Sequence, residues 1–245
     1  MIARIILFLL DIFDFFHKKK IKNFFKKRKI NHFELVFDIG GHKGESLVFF
    51  LKYFEVRKII SFEPSLSNFK HLQKNSIKLK SQFKNSEILI ENKGIGKKKE
   101  KKNLKQHYES SSSTINDFNE KSDYFKRKNF LLNIKKKVFK EVQIDLISLE
   151  EYINENKISK IDLVKIDTEG YEFEVLKGLG SKLSLIKFIM FEHHFDDMLQ
   201  KNYTFKDISN LLKMNNFRKI YKLKMPFRKS FEYVYINEKI ANNLH

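Results

Sequence analysis

The feature that most narrows the fold is the run Leu35-Val36-Phe37-Asp38-Ile39-Gly40-Gly41-His42-Lys43-Gly44, followed by the helix-patterned residues Glu45 to Phe54. Apolar residues closed by an acid and a cluster of glycines describe a buried strand that ends in a tight turn and feeds a helix. A turn without side chains lets backbone N–H groups come close to a ligand, and the helix presents its unpaired N-terminal donors to the same place. Such turns also occur merely to pack a helix tightly on a sheet, so the neighbouring unit must discriminate.

That unit is Lys58 to Phe62, a second apolar run that ends in Glu63-Pro64. It begins about twenty residues after Asp38, as a strand-helix-strand unit requires. Glu63 is placed to accept hydrogen bonds from both ribose hydroxyls of an adenosine cofactor. The glycines are spaced G-G-x-x-G, so the pyrophosphate fingerprint G-x-G-x-x-G is not met. An adenosine cofactor without phosphates is therefore favoured over a nicotinamide dinucleotide.

At these residues the chain resembles the FkbM-type S-adenosylmethionine-dependent methyltransferases. Asp38 to Glu45 is similar to that family's first motif, in which an Ala-Asn pair usually stands at Gly41-His42, and Phe62-Glu63-Pro64 is similar to the second. Lys165-Ile166-Asp167-Thr168-Glu169-Gly170-Tyr171-Glu172, with Val175-Leu176-Lys177-Gly178 after it, is similar to the most specific motif. The resemblance runs from Val36 to His194. It implies a Rossmann-like α/β class I methyltransferase fold, with a seven-stranded, mostly parallel sheet, helices on both faces and a last strand inserted antiparallel. It also implies S-adenosylmethionine as cofactor. The expected cofactor site is Asp38, Gly40, Gly41, His42, Gly44, Glu63 and Pro64; Asn92, at the end of the third strand, either joins it at the adenine side or serves as a turn residue.

The chain order agrees with that expectation. Strand patterns at 35–39, 58–63 and 87–92 alternate with helix patterns at 45–54 and 67–76, which reads as a parallel sheet. Residues 97–140 break the alternation with a lysine run and a serine cluster, Ser110 to Ser113, and are expected to be a mobile or disordered insert. Strand alternation resumes at Val138 to Leu146, and Ser148 with Glu151 marks a capped helix start. Ile161 to Asp167 reads as a central strand, Phe173 to Leu179 as a helix, and Leu185 to Phe191 as a strand ending in Glu192-His193-His194. Residues 217–223 and 230–236 read as a closing hairpin joined through Pro226. The expected division is thus an amphipathic, basic N-terminal extension, 1–30, and a methyltransferase domain, 31–240.

In the extension, Ile5 to Phe16 is apolar apart from Asp11 and Asp14, and His17 to Lys29 carries eight Lys or Arg residues. Twelve residues reach about 18 Å as a helix, short of the roughly 30 Å bilayer core. The basic cluster follows the apolar run, the reverse of a signal peptide. The expected location is cytoplasmic, with peripheral contact at the inner face of the membrane through residues 1–29. The competing reading is a helix packed on the domain.

Composition excludes several chemistries. With no cysteine, there is no disulfide, thiolate metal site or covalent thiol mechanism. The net charge of +19 would suit nucleic acid, but only six of the 49 basic residues are Arg, the side chain best suited to phosphate and guanine recognition. Hydroxyl methylation is the natural reading, with a sugar in a glycan or lipid-linked precursor as the acceptor implied by the family. The rivals are an RNA 2′-O-methyltransferase and a non-catalytic membrane-associated scaffold. His193 or His194 is the expected base because imidazole titrates near neutrality, with Asp167 as the alternative base or the orienting group. Glu172 and Glu174 are expected to be solvated helix charges. No metal is expected, although Asp167, Glu192 and His193 offer ligands to a divalent cation that would acidify a diol.

Overall fold

The computed structural model describes residues 2–107, 113–131, 139–225 and 229–242. A long helix, α1 (Ile2–Lys27), leads into β1 (His32–Ile39), α2 (Glu45–Tyr53), β2 (Glu55–Phe62), α3 (Leu66–Gln82) and β3 (Glu87–Glu91). There follow β4 (Gly94–Gly96), β5 (Glu100–His107), the two-residue β6 (Asp117–Phe118), α4 (Asp123–Leu131) and β7 (Phe139–Ser148). The chain continues through α5 (Leu149–Glu155), β8 (Ile161–Ile166), α6 (Glu172–Lys177), a 3-10 turn (Gly180–Leu185), β9 (Ile186–His194) and the two-residue β10 (Leu199–Gln200). It closes with α7 (Phe205–Met214), β11 (Phe217–Lys224), β12 (Ser230–Asn237) and α8 (Glu238–Asn242).

Seven strands pair in the order β11-β12-β9-β8-β1-β2-β3. The central pairs are parallel, whereas β12 lies antiparallel between β9 and β11. Side chains alternate across the sheet and build two apolar layers. Phe37, Ile39, Val164, Ile166 and Phe191 face α5, α6 and α7, while Val36, Leu163, Phe188 and Met190 face α1, α2 and α3. The expected seven-stranded sheet with helices on both faces is therefore present, with its antiparallel strand in place.

Two regions add to the sequence reading. The second half of α1 packs on the domain: Ile21, Phe24 and Phe25 are buried, and Phe25 packs edge-on against Phe33, Phe54 and Phe188. Truncating such a phenylalanine typically costs about 3–5 kcal/mol. In the 97–140 segment, β5 runs antiparallel along β7 for eight residue pairs, in a three-stranded sheet of order β4-β7-β5. Leu104 is the one deeply buried apolar side chain among residues 100–106 of β5, so no alternation announces the strand and the backbone ladder specifies it. Ser110 to Ser112 and Pro226 lie outside the described residues. The predicted cap is seen: Ser148 Oγ accepts the Glu151 N–H at 3.1 Å.

Candidate active site

The parallel strands end together at one rim of the sheet, with Asp38 level with Ser61 and Ile39 with Phe62. Gly40 has φ +85°, and a Cβ there would run into the carbonyl of Asp167. Glycine is therefore dictated both by backbone conformation and by close approach. Gly44, at φ +100°, is the N-cap of α2.

The donors of this turn are spent inside the protein, contrary to the expectation that they face a ligand. Gly40 and Gly41 donate to the Phe62 carbonyl at 3.0 and 2.9 Å, Lys43 donates to Glu45 Oε2 at 3.1 Å, and Gly44 donates to the Gly41 carbonyl at 2.8 Å. His42, at φ +47°, donates its backbone N–H to Glu63 Oε2 at 2.8 Å and sets its ring 3.1 Å from Glu45. A close-packed strand end leaves its N–H groups no other outlet.

What this half of the rim presents is acceptors. Glu63 is 5% exposed, and its second oxygen accepts the Ser65 N–H at 2.9 Å. Burial pushes its carboxyl up to about 7, against the pull of those backbone donors. The Asn68 side chain is a further donor to this carboxylate, which still keeps lone-pair capacity beyond these bonds. Asp38 is fully buried, and burial raises its pKa against the opposing effects of Lys165 and of the Ser61 hydroxyl, which donates at 2.8 Å. Its other oxygen has no hydrogen-bond partner among the described residues, and Lys165 Nζ stands 3.8 Å away. Asn92 closes a turn, the alternative reading of it. Its amide donates to the carbonyls of Glu63 at 2.8 Å and Pro64 at 3.2 Å, holding the turn that carries Glu63.

The other half of the rim comes from β8 and β9. Lys165 Nζ lies 3.1 Å from Asp167; burial works against its charge, but Asp167 and Asp38 outweigh burial and raise its pKa. Asp167 is half-buried, and its backbone N–H donates to the Ile39 carbonyl at 2.9 Å. The turn after it carries Glu169 at φ +48° and Gly170 at φ +93°. Residues of the 97–140 segment brace that turn, since Thr114 Oγ1 donates to the Glu169 carbonyl and Asn116 Nδ2 to the Gly170 carbonyl, both at 2.6 Å.

The two histidines occupy opposite faces of β9. His193 packs among the rings of Phe195, Tyr203 and Phe205, and burial, with Lys201 and His194 nearby, lowers its pKa to about 3. His194 lies 3.3 Å from Glu169 and 3.5 Å from both Glu192 and Asp196. Burial disfavours its charge, yet these carboxylates prevail and raise its pKa to about 10. The expectation of an imidazole base near neutrality meets one ring too hard to protonate and one already protonated. Asp167 remains the accessible basic group of the three. Among the described residues, no group of three His, Asp or Glu side chains is arranged to hold a metal ion, and His193 lies on the opposite face of β9 from Glu192.

Glu172 corrects the reading of it as a solvated charge. It is 1% exposed and accepts from the Gly170 N–H at 2.8 Å, from Thr168 Oγ1 at 3.3 Å and from the Tyr203 hydroxyl at 2.5 Å. The available signal was its place in the Asp167-x-Glu169-Gly170-x-Glu172 motif, which local helix periodicity overrode. Glu174, by contrast, is partly exposed and pairs with Lys177.

A seven-stranded sheet of this order, with a glycine turn after the first strand and an acid after the second, defines the class I methyltransferase architecture. The family description Methyltransferase FkbM domain matches residues 38–219, and the chain belongs to that family. It is therefore a methyltransferase, as the motif resemblance implied.

Among solved structures, the FkbM methyltransferase of Methylobacillus flagellatus KT aligns with a TM-score of 0.55 and 16% identity, over 84% of this chain and 44% of that one. The magnesium protoporphyrin IX methyltransferase of Synechocystis PCC 6803, solved with bound S-adenosylmethionine, aligns with a TM-score of 0.53 and 9% identity, over 93% and 81%. The curated hexuronic acid methyltransferase AglP of Haloferax volcanii is 39% identical over 51 residues, 21% of either chain. The match thus spans about a fifth of that relative's length.

Proposed function

We propose that this chain transfers the methyl group of S-adenosylmethionine to a hydroxyl of a sugar, in a glycan or its lipid-linked precursor. The observation that carries the cofactor assignment is the buried Glu63 carboxylate, held at the rim by the His42 and Ser65 N–H groups with acceptor capacity remaining. A ribose diol supplies donors to the acceptor capacity that remains. Asp38, with a buried oxygen short of a hydrogen bond, suits the positively charged amino-acid end of the same molecule. The partial match to a hexuronic acid methyltransferase supports a sugar acceptor.

Bound S-adenosylmethionine supplies an electrophilic methyl carbon on a sulfonium. The task left to the protein is alignment of the acceptor oxygen in line with that carbon, together with removal of the acceptor proton. Asp167 takes that proton in this reading. Its backbone is tied to β1 through Ile39, and its carboxylate is held by Lys165. Buried Lys165 keeps its charge between Asp38 and Asp167 and so links the two halves of the rim.

A sugar carboxylate is the second reading, favoured by the two histidines that have left the neutral range, because a carboxylate oxygen attacks without a base. Calorimetric titration with S-adenosylmethionine and S-adenosylhomocysteine tests the cofactor site. Glu63→Ala is expected to weaken both by about 1 kcal/mol or more, and absence of binding to the unmodified protein overturns the proposal. Transfer of labelled methyl to neutral and acidic sugars then separates the acceptors. An alkali-stable product is a hydroxyl ether, and an alkali-labile one is a carboxylate ester.

A further inference from the structure

The direction of α1 relative to the sheet points to a partner. Phe25 packs on Phe188, near the start of β9, while His17 Nε2 meets Glu232 at 2.5 Å, and Glu232 lies beside Glu192 near the end of β9. The helix therefore runs opposite to the parallel strands, and its N-terminal half leaves the sheet at the rim that bears Asp167, Glu192 and His194. Fifteen residues, Ile2 to Phe16, extend the helix about 22 Å from that contact.

The chemistry of this half changes sharply at His17. From Ile5 to Phe16, Asp11 and Asp14 are the only charged residues. Phe15 and Phe16 are 54% and 51% exposed, while Lys19 and Lys20 one turn further on, and Lys26 and Lys27 about three turns further on, are exposed on the outward side of the docked half. Exposed aromatic rings leading into a cationic face match the two layers of an anionic bilayer surface, acyl boundary and phosphate headgroups. No helix among the described residues is long and apolar enough to cross a membrane, so the contact is interfacial.

We infer that α1 seats the protein on an anionic lipid bilayer, with the acceptor half of the rim turned towards the lipid surface. His17 and Glu232 fix the helix to the sheet, so the bilayer and the rim keep a set relation. The membrane contact does not depend on the identity of the methyl acceptor and is measured without it.

The test is flotation of the full chain with vesicles of phosphatidylcholine alone and of phosphatidylcholine mixed with phosphatidylglycerol. Binding to the mixed vesicles that falls with added salt is expected. Lys19→Ala with Lys20→Ala should weaken it roughly thirtyfold, at about one tenfold step per 1.4 kcal/mol and the usual value of a surface cation. Phe15→Ser with Phe16→Ser should weaken it at least tenfold. All four positions are exposed, so the variants should keep the melting temperature and the S-adenosylmethionine affinity of the parent. Absence of binding, equal binding to neutral vesicles, or binding indifferent to both variants overturns the inference. So does a concentration-dependent dimer that Phe15→Ser with Phe16→Ser dissolves, since a second copy would then cover this surface.

Discussion

The two halves of the rim are built in different ways. At the ends of β1 and β2 the site is mostly backbone: glycines at positive φ, carbonyls meeting N–H groups, and one carboxylate pinned by two of them. At the ends of β8 and β9 it is a side-chain network drawn from distant segments, with His194 among Glu169, Glu192 and Asp196, and Glu172 bonded to Tyr203. The first arrangement suits a ligand whose shape never changes. The second can be altered one side chain at a time, which suits the proposed acceptor.

The largest expected effect breaks the second half. His194→Ala leaves three carboxylates facing one another without their cation, and should cost about 3–5 kcal/mol in urea denaturation. The pH dependence sharpens this. Because folding raises the His194 pKa from 6.5 to about 10, its contribution is complete below 6.5 and is lost as pH rises through 10. The parent protein should lose stability across that window, and the variant should lose less.

The next effect breaks the first half. Gly40→Ala places a side chain at φ +85° against the Asp167 carbonyl and should weaken S-adenosylmethionine binding by about 2 kcal/mol. A smaller effect concerns Glu63, which titrates at about 7 in the free protein. If ribose donors hold its ionised form, affinity should rise with pH up to about 7 and level off above, with a proton released at lower pH. Calorimetry in buffers of different ionisation enthalpy reads that proton, and Glu63→Gln should abolish both the slope and the release. The smallest concerns the brace on the second half. Thr114→Val removes the hydrogen bond to the Glu169 carbonyl and should cost about 1 kcal/mol of stability while raising the acceptor KM more than the cofactor Kd.

This division also explains what could be read from the chain. Asp38, Gly40, Gly44 and Glu63 were legible because a strand end, a positive φ and a turn each demand particular residue types at adjacent positions. The burial of Glu172 is not legible because its surroundings depend on Tyr203, 31 residues further on, and helix periodicity carries no trace of that contact. The charges of the two histidines are not legible in sequence, since Glu169 and Asp196 hold one protonated and burial in an aromatic cage keeps the other neutral. Strand β5 was hidden by its charge: with lysines at 101, 102 and 105, only pairing to β7 reveals it.

Gly40 and Asp167 touch backbone to backbone, and the Asp167 N–H is bonded to the carbonyl of the residue before Gly40. In the proposed reading, the gap between methyl donor and methyl acceptor is gauged by these two adjoining strands and not by any loop, so its length is held while the surface evolves. Selectivity is then free to reside outside the gauge, in the Thr114–Asn116 brace and the helix that leaves the sheet at His17. Such a protein can exchange one acceptor for another by rewriting its periphery while the reaction distance stays the same.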